Sequence, residues 1–480
     1  MNYQEKYKLW CESAYFDVHT KEELRGIRDD EAEIEDRFYK DLEFGTGGLR
    51  GVIGAGSNRM NIYTVRKATQ GLANYINKSG EKKRVAIAFD SRHMSLEFAE
   101  EAALCFNANG IETYCFESLR PTPELSFAVR YLQCTAGVVI TASHNPAEYN
   151  GYKVYWKDGA QITPPLDAEI IAEVNAIQDY SIVKTMNRED AIQQNLFHTA
   201  SEELDTAYIN AVKKCGFNSD LVKQYGDKIR IVYTPLHGTG NIPVRRILKE
   251  MGFRNVFVVP EQEQPDGNFP TVPYPNPEDP RAFELALQYA KREDADIVMA
   301  TDPDADRLGV YVKNSNGEYV AFTGNMSGML IGEYILSQRK EKGLLPQNGA
   351  LVSTIVTTDM AKVMAEAYGV KFIETLTGFK YIGEQIKKFE EEHTYEYLFG
   401  LEESYGCLVG TYARDKDAVA AVMMLAEAAV YYMQQGKTLC DQMEEMYQKY
   451  GYYKETLITK TLKGIEGKKE IDSLMSKLRN

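Results

Sequence analysis

The chain has 480 residues, 44% hydrophobic and 26% charged, with 55 lysines and arginines against 70 aspartates and glutamates. That is a globular composition, long enough for three or four domains with ordinary cores, and the net charge of −15 excludes nucleic acid and anionic membranes as expected partners. Seven cysteines without a CxxC pair read as reduced thiols of a cytoplasmic protein, not as a disulfide framework or a zinc site.

The opening MNYQEKYKLW has no apolar segment of the kind a signal peptide carries, and the first 40 residues are charged and helix-like. Next comes Gly45-Thr-Gly-Gly-Leu-Arg-Gly51, a glycine-rich loop that carries Arg50 but lacks the Gly-Lys-Ser/Thr ending of a nucleotide-binding P-loop. From there short β-branched runs alternate with longer helical patterns, the signature of an α/β chain. One arrangement recurs three times. An apolar strand leads into a polar turn and a helix at 85–95 (VAIAFDSRHMS), 229–240 (IRIVYTPLHGTG) and 350–360 (ALVSTIVTTDM). About 45 to 70 residues later a second apolar strand runs into an unusual polar loop, at 137–146 (GVVITASHNP), 296–307 (DIVMATDPDADR) and 397–406 (YLFGLEESYG). The recurrence predicts three similar α/β domains in tandem, each placing a loop at a strand end, with boundaries near 205, 320 and 435. The proline-rich stretch Pro260 to Pro280 reads as an irregular loop. The apolar stretch Ala418 to Met433, interrupted by Glu427, is too short to span a bilayer and reads as a buried helix.

Three loops carry the chemistry. In Thr141-Ala-Ser-His-Asn-Pro146 the serine sits in a tight Asn-Pro turn with its hydroxyl exposed, and Thr141 and Asn145 rule out a G-x-S-x-G elbow. A lone turn serine usually caps the next element. Here His144 beside it and Asn150-Gly-Tyr-Lys153 beyond supply the base and the positive charge that a nucleophilic hydroxyl needs. In Asp302-Pro-Asp-Ala-Asp-Arg307 three alternating carboxylates can converge on one hard cation such as Mg²⁺. An EF-hand is excluded, because Arg307 and Lys313 stand where glycine and glutamate are required. In Gly400-Leu-Glu-Glu-Ser-Tyr-Gly406, Glu402 and Ser404 point the same way on an extended segment, a pair suited to sugar hydroxyls. Thr377-Gly-Phe-Lys380 and Arg414-Asp-Lys-Asp417 add the cations that an acidic protein needs to hold a phosphate.

GTGGLRG, TASHNP, DPDADR, TGFK, GLEESYG and ARDKDAV occur in this order over residues 40–430. Together they resemble the α-D-phosphohexomutase family, in its phosphoglucomutase/phosphomannomutase-like branch, which also holds phosphopentomutases. The resemblance implies a phosphosugar mutase that interconverts sugar 1-phosphate and 6-phosphate through a phosphoserine at Ser143 and a sugar bisphosphate. It implies Mg²⁺ on Asp302, Asp304 and Asp306 with the phosphoserine as a further ligand, and sugar hydroxyls on Glu402 and Ser404. Arg50, His144 and Lys153 would surround the transferred phosphoryl group. Arg307, His237, Thr377, Gly378 and Lys416 would line the cleft. A phosphopentomutase, a phosphomannomutase or a sugar-bisphosphate synthase would use the same serine; a phosphatase and a non-catalytic phosphosugar-binding protein are the remaining alternatives. The expected architecture is a phosphoserine domain (1–205), a metal-binding domain (206–320) and a sugar-binding domain (321–435) around a central cleft. Residues 436–480 are expected to be only the start of a fourth domain, because the family's Arg-x-Ser-Gly-Thr-Glu-Pro-like loop is absent. On that basis the chain should hold its substrate weakly and turn it over slowly.

Overall fold

The apolar runs starting at Val85, Ile231 and Ala350 each become an inner strand of a separate sheet in the computed structural model, which describes residues 1–45, 47–460, 462 and 464–479, with Gly464 and Ile465 described by their backbone alone. Apolar on both faces, such runs suit parallel strands covered by helices. The first sheet contains β1 (Gly48–Val52), β2 (Arg84–Phe89), β3 (Glu112–Phe116), β4 (Ala136–Ile140), β5 (Tyr149–Trp156) and β6 (Phe197–Ala200), in the order β1-β5-β4-β2-β3-β6. The second contains β7 (Arg230–Thr234), β8 (Asn255–Val258), β9 (Ile297–Thr301), β10 (Leu308–Lys313) and β11 (Tyr319–Phe322), in the order β11-β10-β9-β7-β8. The third contains β12 (Gly349–Thr354), β13 (Lys371–Thr375), β14 (Glu396–Glu402) and β15 (Gly406–Leu408), in the order β13-β12-β14-β15.

The three units repeat one wiring. β2, β7 and β12 each pair in parallel with the strand on either side: β3 and β4, β8 and β9, β13 and β14. The last of each set then returns antiparallel through β5, β10 or β15. The sequence expectation ends each motif at a strand end. The return strands make each motif loop the connection of a hairpin instead, at the same place in every unit.

The helix Ala418–Met433 is buried from Ala418 through Val430 and packs against helices of the second and third units. Its single carboxylate, Glu427, accepts the backbone N–H groups of Phe217 (2.7 Å) and Asn218 (3.1 Å) and the Tyr334 hydroxyl (2.9 Å), all at Oε1, while Oε2 is buried without a hydrogen-bond partner. The first 40 residues form three short helices, Tyr3–Glu12, Val18–Gly26 and Glu31–Phe38, which enclose Trp10, Phe16, Leu24 and Phe38. Between Pro260 and Pro280 only a short helix, Pro260–Glu263, interrupts an irregular path. Among the described residues no helix is long and apolar enough to cross a membrane.

The expected unit boundaries meet particular elements of the structure. The one near 205 falls inside the helix Glu202–Lys213, and the one near 320 falls inside β11, whose pairing with β10 keeps it in the second sheet. The helix Leu439–Tyr450 packs on the third unit and does not open a new one. It buries Met443 and Met446, and its Tyr450 hydroxyl donates to Glu333 Oε2 at 2.6 Å.

Candidate active site

The first loop runs from β4 to β5. Ser143 takes a left-handed conformation (φ 51°), uncommon for a non-glycine residue and maintained only where neighbours fix it. Its backbone N–H donates to Thr141 Oγ1 at 2.8 Å. Its hydroxyl donates to Asp302 Oδ2 at 2.6 Å, across the boundary between the first two units, and lies 3.2 Å from His144 Nδ1. Burial, with Arg307 and Arg50 nearby, pushes the His144 imidazole down to about 2, so it is neutral at physiological pH. Lys153 lies on β5 opposite Gly48 of β1. A side chain at Gly48 would place its Cβ 1.7 Å from the Tyr152 carbonyl oxygen, so only glycine lets β1 run along this edge. Two residues on, Arg50 lines the cleft without an ion-pair partner among the described residues. Thr46 of the same glycine-rich loop lies outside the described residues.

The second loop, 302–307, joins β9 to β10. Asp302 Oδ1 accepts the backbone N–H groups of Asp306 (3.1 Å) and Arg307 (3.0 Å), which closes the turn. Asp304 Oδ2 accepts from Lys153 Nζ (2.7 Å) and from Thr122 Oγ1 (2.8 Å), both in the first unit. Asp306 Oδ2 faces Lys416 Nζ of the third unit at 3.2 Å. One oxygen from each aspartate lies within 4.8 Å of the others, and Asp304 Oδ1 and Asp306 Oδ1 are buried without a hydrogen-bond partner. Unpaired buried carboxylate oxygens are costly, and a hard cation is the ligand that satisfies them. The group therefore fits a metal ion. Burial, then the Asp304 and Asp306 carboxylates, push the Asp302 carboxyl well up. Burial acts the same way on Asp304, but the Lys153 ammonium outweighs it and holds that carboxyl below the usual range. Lys153 and Lys416 stay charged despite burial because Asp304 and Asp306, and Asp306 and Asp415, surround them.

His237 supports this loop from behind. Its ring nitrogens lie 3.0 Å from the Gln264 carbonyl oxygen and 2.9 Å from Thr271 Oγ1, which leaves neither for the cleft. Next to it Thr239 N–H donates to the Pro303 carbonyl at 2.8 Å, and a Cβ at Gly238 would lie 2.4 Å from Pro303 Cα. His237 is thus a satisfied structural histidine and does not line the cleft, contrary to what the resemblance implies.

In the third unit Glu402 ends β14, buried, with its carboxyl 3.7 Å from Lys416 Nζ; burial raises its pKa. Ser404 is not on an extended segment. It sits in the turn 403–405, where its hydroxyl donates to Glu403 Oε1 at 3.0 Å. Thr377 and Gly378 follow β13, with Thr377 exposed, and neither lines the cleft. Lys416 is oriented by Asp415, which accepts its backbone N–H (2.8 Å), the Tyr155 hydroxyl (2.6 Å) and Gln161 Nε2 (3.2 Å). Arg414 is buried and donates to the carbonyls of Thr411 and Ala413 and to Glu390, away from the cleft.

Ser143, His144, Lys153, Arg50, Arg307 and Lys416 share one cleft of about 270 Å³, with Asp306 in its wall. Asp302 and Asp304 lie against it through Ser143 and Lys153, and Glu402 through Lys416. Sequence reasoning missed Thr122, Gln161 and Asp415. Asp415 stood inside a quoted motif, whereas Thr122 and Gln161 carry no local signal. A hydroxyl beside a neutral imidazole, carboxylates poised for a cation, and four cationic side chains form a set suited to phosphoryl transfer.

Comparison with known proteins shows the family over most of the chain. Family models described as phosphoglucomutase/phosphomannomutase, alpha/beta/alpha domains I, II and III, match residues 41–181, 206–317 and 323–450. The phosphoglucomutase of Staphylococcus haemolyticus (strain JCSC1435) is 36% identical over 446 residues, covering 93% of this chain and 79% of the relative. That of Staphylococcus aureus (strain N315) is 36% identical over 483 residues, covering 98% and 83%. Among solved structures, a Thermus thermophilus protein assigned as a phosphomannomutase aligns with a TM-score of 0.72 at 25% identity, covering 88% of this chain and 89% of that one. The open form of Paramecium parafusin, a phosphoglucomutase, shares the fold with a TM-score of 0.67 at 19% identity, covering 86% and 75%. The chain therefore belongs to the phosphoglucomutase/phosphomannomutase family of phosphosugar mutases, isomerases that act as intramolecular phosphotransferases.

Proposed function

We propose that this mutase interconverts a sugar 1-phosphate and a sugar 6-phosphate in the cytoplasm, passing the phosphoryl group through Ser143 and a bisphosphorylated sugar. Glucose is the favoured sugar, because the relatives at 36% identity are phosphoglucomutases. The observation that carries the mechanism is the Ser143 hydroxyl 2.6 Å from Asp302, beside carboxylate oxygens that lack partners and inside a cleft lined by cations.

Starting from phosphorylated Ser143, a free sugar hydroxyl attacks the phosphorus. The new sugar O–P bond forms as the Oγ–P bond breaks, and the hydroxyl proton passes to the neutral imidazole of His144, 3.2 Å from Ser143 Oγ, whose low basicity the phosphate dianion on Ser143 raises, while Lys153 acts as an ammonium and, in the reverse step, as the acid. The bisphosphate turns over, and its other phosphoryl group returns to Ser143 by the reverse step. Arg50 and Lys153 offset charge on the transferring oxygens. Asp302, Asp304 and Asp306, with a phosphate oxygen on Ser143, would hold Mg²⁺, which supplies further charge neutralisation. Glu402 and Ser404 grip sugar hydroxyls, Ser404 after exchanging its bond to Glu403 for one to substrate. Arg307 and Lys416 face the bound sugar phosphate, and Thr377 and Gly378, outside the cleft in this structure, would reach it only on movement of the third unit towards the substrate. The test is Ser143→Ala, which should lose mutase turnover by orders of magnitude with the fold unchanged; near-normal activity would overturn the proposal.

A further inference from the structure

The turn after β2 carries a buried arginine that none of the steps above uses. Arg92 and Asp90 have fully buried side chains, with Arg92 Nε 3.4 Å from Asp90 Oδ2. Asp90 is fixed in turn by the Arg92 backbone N–H (2.9 Å) and the Ser95 hydroxyl (2.7 Å). The guanidinium then reaches across to the loop between β4 and β5. One terminal nitrogen donates to the carbonyls of Pro146 (2.7 Å) and Tyr149 (3.0 Å). The other donates to the carbonyl of Ser143 itself (2.6 Å) and to that of Asn145.

Three carbonyls of one short loop and that of Tyr149, the first residue of β5, thus converge on one planar donor. Carbonyls shielded from water need partners, and these find them in the arginine, that of Ser143 fully buried and that of Pro146 also accepting the Tyr149 N–H at 3.1 Å. A lysine could not replace it, because an ammonium is a point donor and not a fork. The outer face of the guanidinium lies over the ring of Phe269, 5.0 Å from its centroid, in the proline-rich loop of the second unit. That loop lies flush against the Arg92 turn: His93 Nε2 is 2.9 Å from Asn268 Oδ1, and a Cβ at Gly267 would lie 2.7 Å from the His93 nitrogen.

We propose that Arg92 is the positioning residue of the nucleophile loop. Its grip on the carbonyls of Ser143, Asn145, Pro146 and Tyr149 keeps Ser143 in its left-handed turn with the hydroxyl aimed at Asp302, and Phe269 ties that grip to the unit that bears the aspartates. Arg92 touches no reacting atom. A merely structural arginine would change stability throughout the unit, whereas a positioning arginine changes the loop and the chemical step.

The proposal rests on Ser143 being the nucleophile, so the experiment reads the loop and the reaction separately. Hydrogen exchange followed by mass spectrometry on the full chain, wild type against Arg92→Lys, should show peptides spanning 141–150 exchanging faster by about tenfold or more, with the strands of the same sheet unchanged. In glucose 1-phosphate turnover primed with glucose 1,6-bisphosphate, kcat should fall about 100-fold, the scale expected for a small misplacement of a reacting group, with KM little changed. Phe269→Leu, which keeps the arginine but removes the ring face and some volume from the second unit's core, should show the same pattern over 141–150 at smaller amplitude. Unchanged exchange over 141–150, or a rise spread evenly over the whole unit, would overturn the proposal. If Arg92→Lys does not fold, wild-type exchange and kcat in Phe269→Leu would overturn it instead. If Ser143→Ala keeps turnover, the nucleophile assignment fails, and the exchange result still reports on Arg92 by itself.

Discussion

The two sides of the cleft are built to different standards. On the side formed by the first two units, Ser143, Asp302, Asp304 and Lys153 are buried or nearly so and bonded to one another across a unit boundary. On the side formed by the third unit, the equivalent hairpin loop offers a buried Glu402, but its Ser404 is turned onto a neighbouring carboxylate and Thr377 stands in solvent. Both loops hang from the same wiring, so topology does not explain the contrast. Charge does. A loop that gathers three carboxylates cannot fold in a protein interior unless cations meet it at once, and Lys153 and Lys416 arrive from the two flanking units to do so. A loop that binds neutral hydroxyls carries no such penalty and can remain open until a sugar arrives. On the proposed function, the phosphoryl-transfer side is organised in advance, and the recognition side is left for the ligand to complete.

Experiments can break this contrast, beginning with the most severe. Replacing Asp302, Asp304 and Asp306 together by asparagine should abolish Mg²⁺ binding in calorimetry and lower turnover by at least about 100-fold; retained Mg²⁺ binding would move the metal elsewhere. Next, Lys153→Met removes the partner of a buried carboxylate and should cost about 3–5 kcal/mol in urea unfolding without metal. Mg²⁺ at a hundred times its dissociation constant should return about 2.7 kcal/mol of that loss. A metal-independent unfolding curve would show that the unpaired aspartate oxygens are not cation ligands. On the open side the effects should be smaller. Glu402→Gln removes a charged hydrogen-bond acceptor worth about 1.5–3 kcal/mol and should lower kcat/KM roughly tenfold or more, while phosphorylation of Ser143 persists. Thr377→Ala should be the mildest, with KM raised no more than about fivefold, as expected for one neutral hydrogen bond. A loss at Thr377 as large as that at Glu402 would show that the recognition side, too, is organised before the ligand arrives.

What could be read from the sequence follows the same division. The inner parallel strands and all three loops were legible because their signals are local: apolar runs for the strands, and TASHNP and DPDADR for chemistry packed into six residues. Ser143, Lys153 and the aspartates meet as the motifs suggested. Contacts made by distant residues left no trace. Thr122 reaches Asp304 from 182 positions away, and its surroundings look like any helix start. Of the return strands, β15 was missed because it spans only Gly406–Leu408 and its turn hides within Glu-Glu-Ser-Tyr. The boundary near 320 falls within β11, a four-residue edge strand whose membership of the second sheet depends on pairing with β10 and so has no local signal. His237 stands in the turn after the second recurring strand, yet a turn does not say which way a ring faces, and here both nitrogens are held within its own unit.

The central claim is that the phosphoryl group travels through Ser143, and a chase experiment tests it most directly. The protein is phosphorylated with glucose 1,6-bisphosphate labelled in its phosphate groups, freed of excess sugar, and mixed with unlabelled glucose 1-phosphate while label is followed by phosphopeptide mapping and product analysis. The account predicts label on the peptide containing Ser143 and its loss to newly formed bisphosphate at a rate no slower than turnover. Label absent from that peptide, or stably retained there while turnover continues, would contradict it.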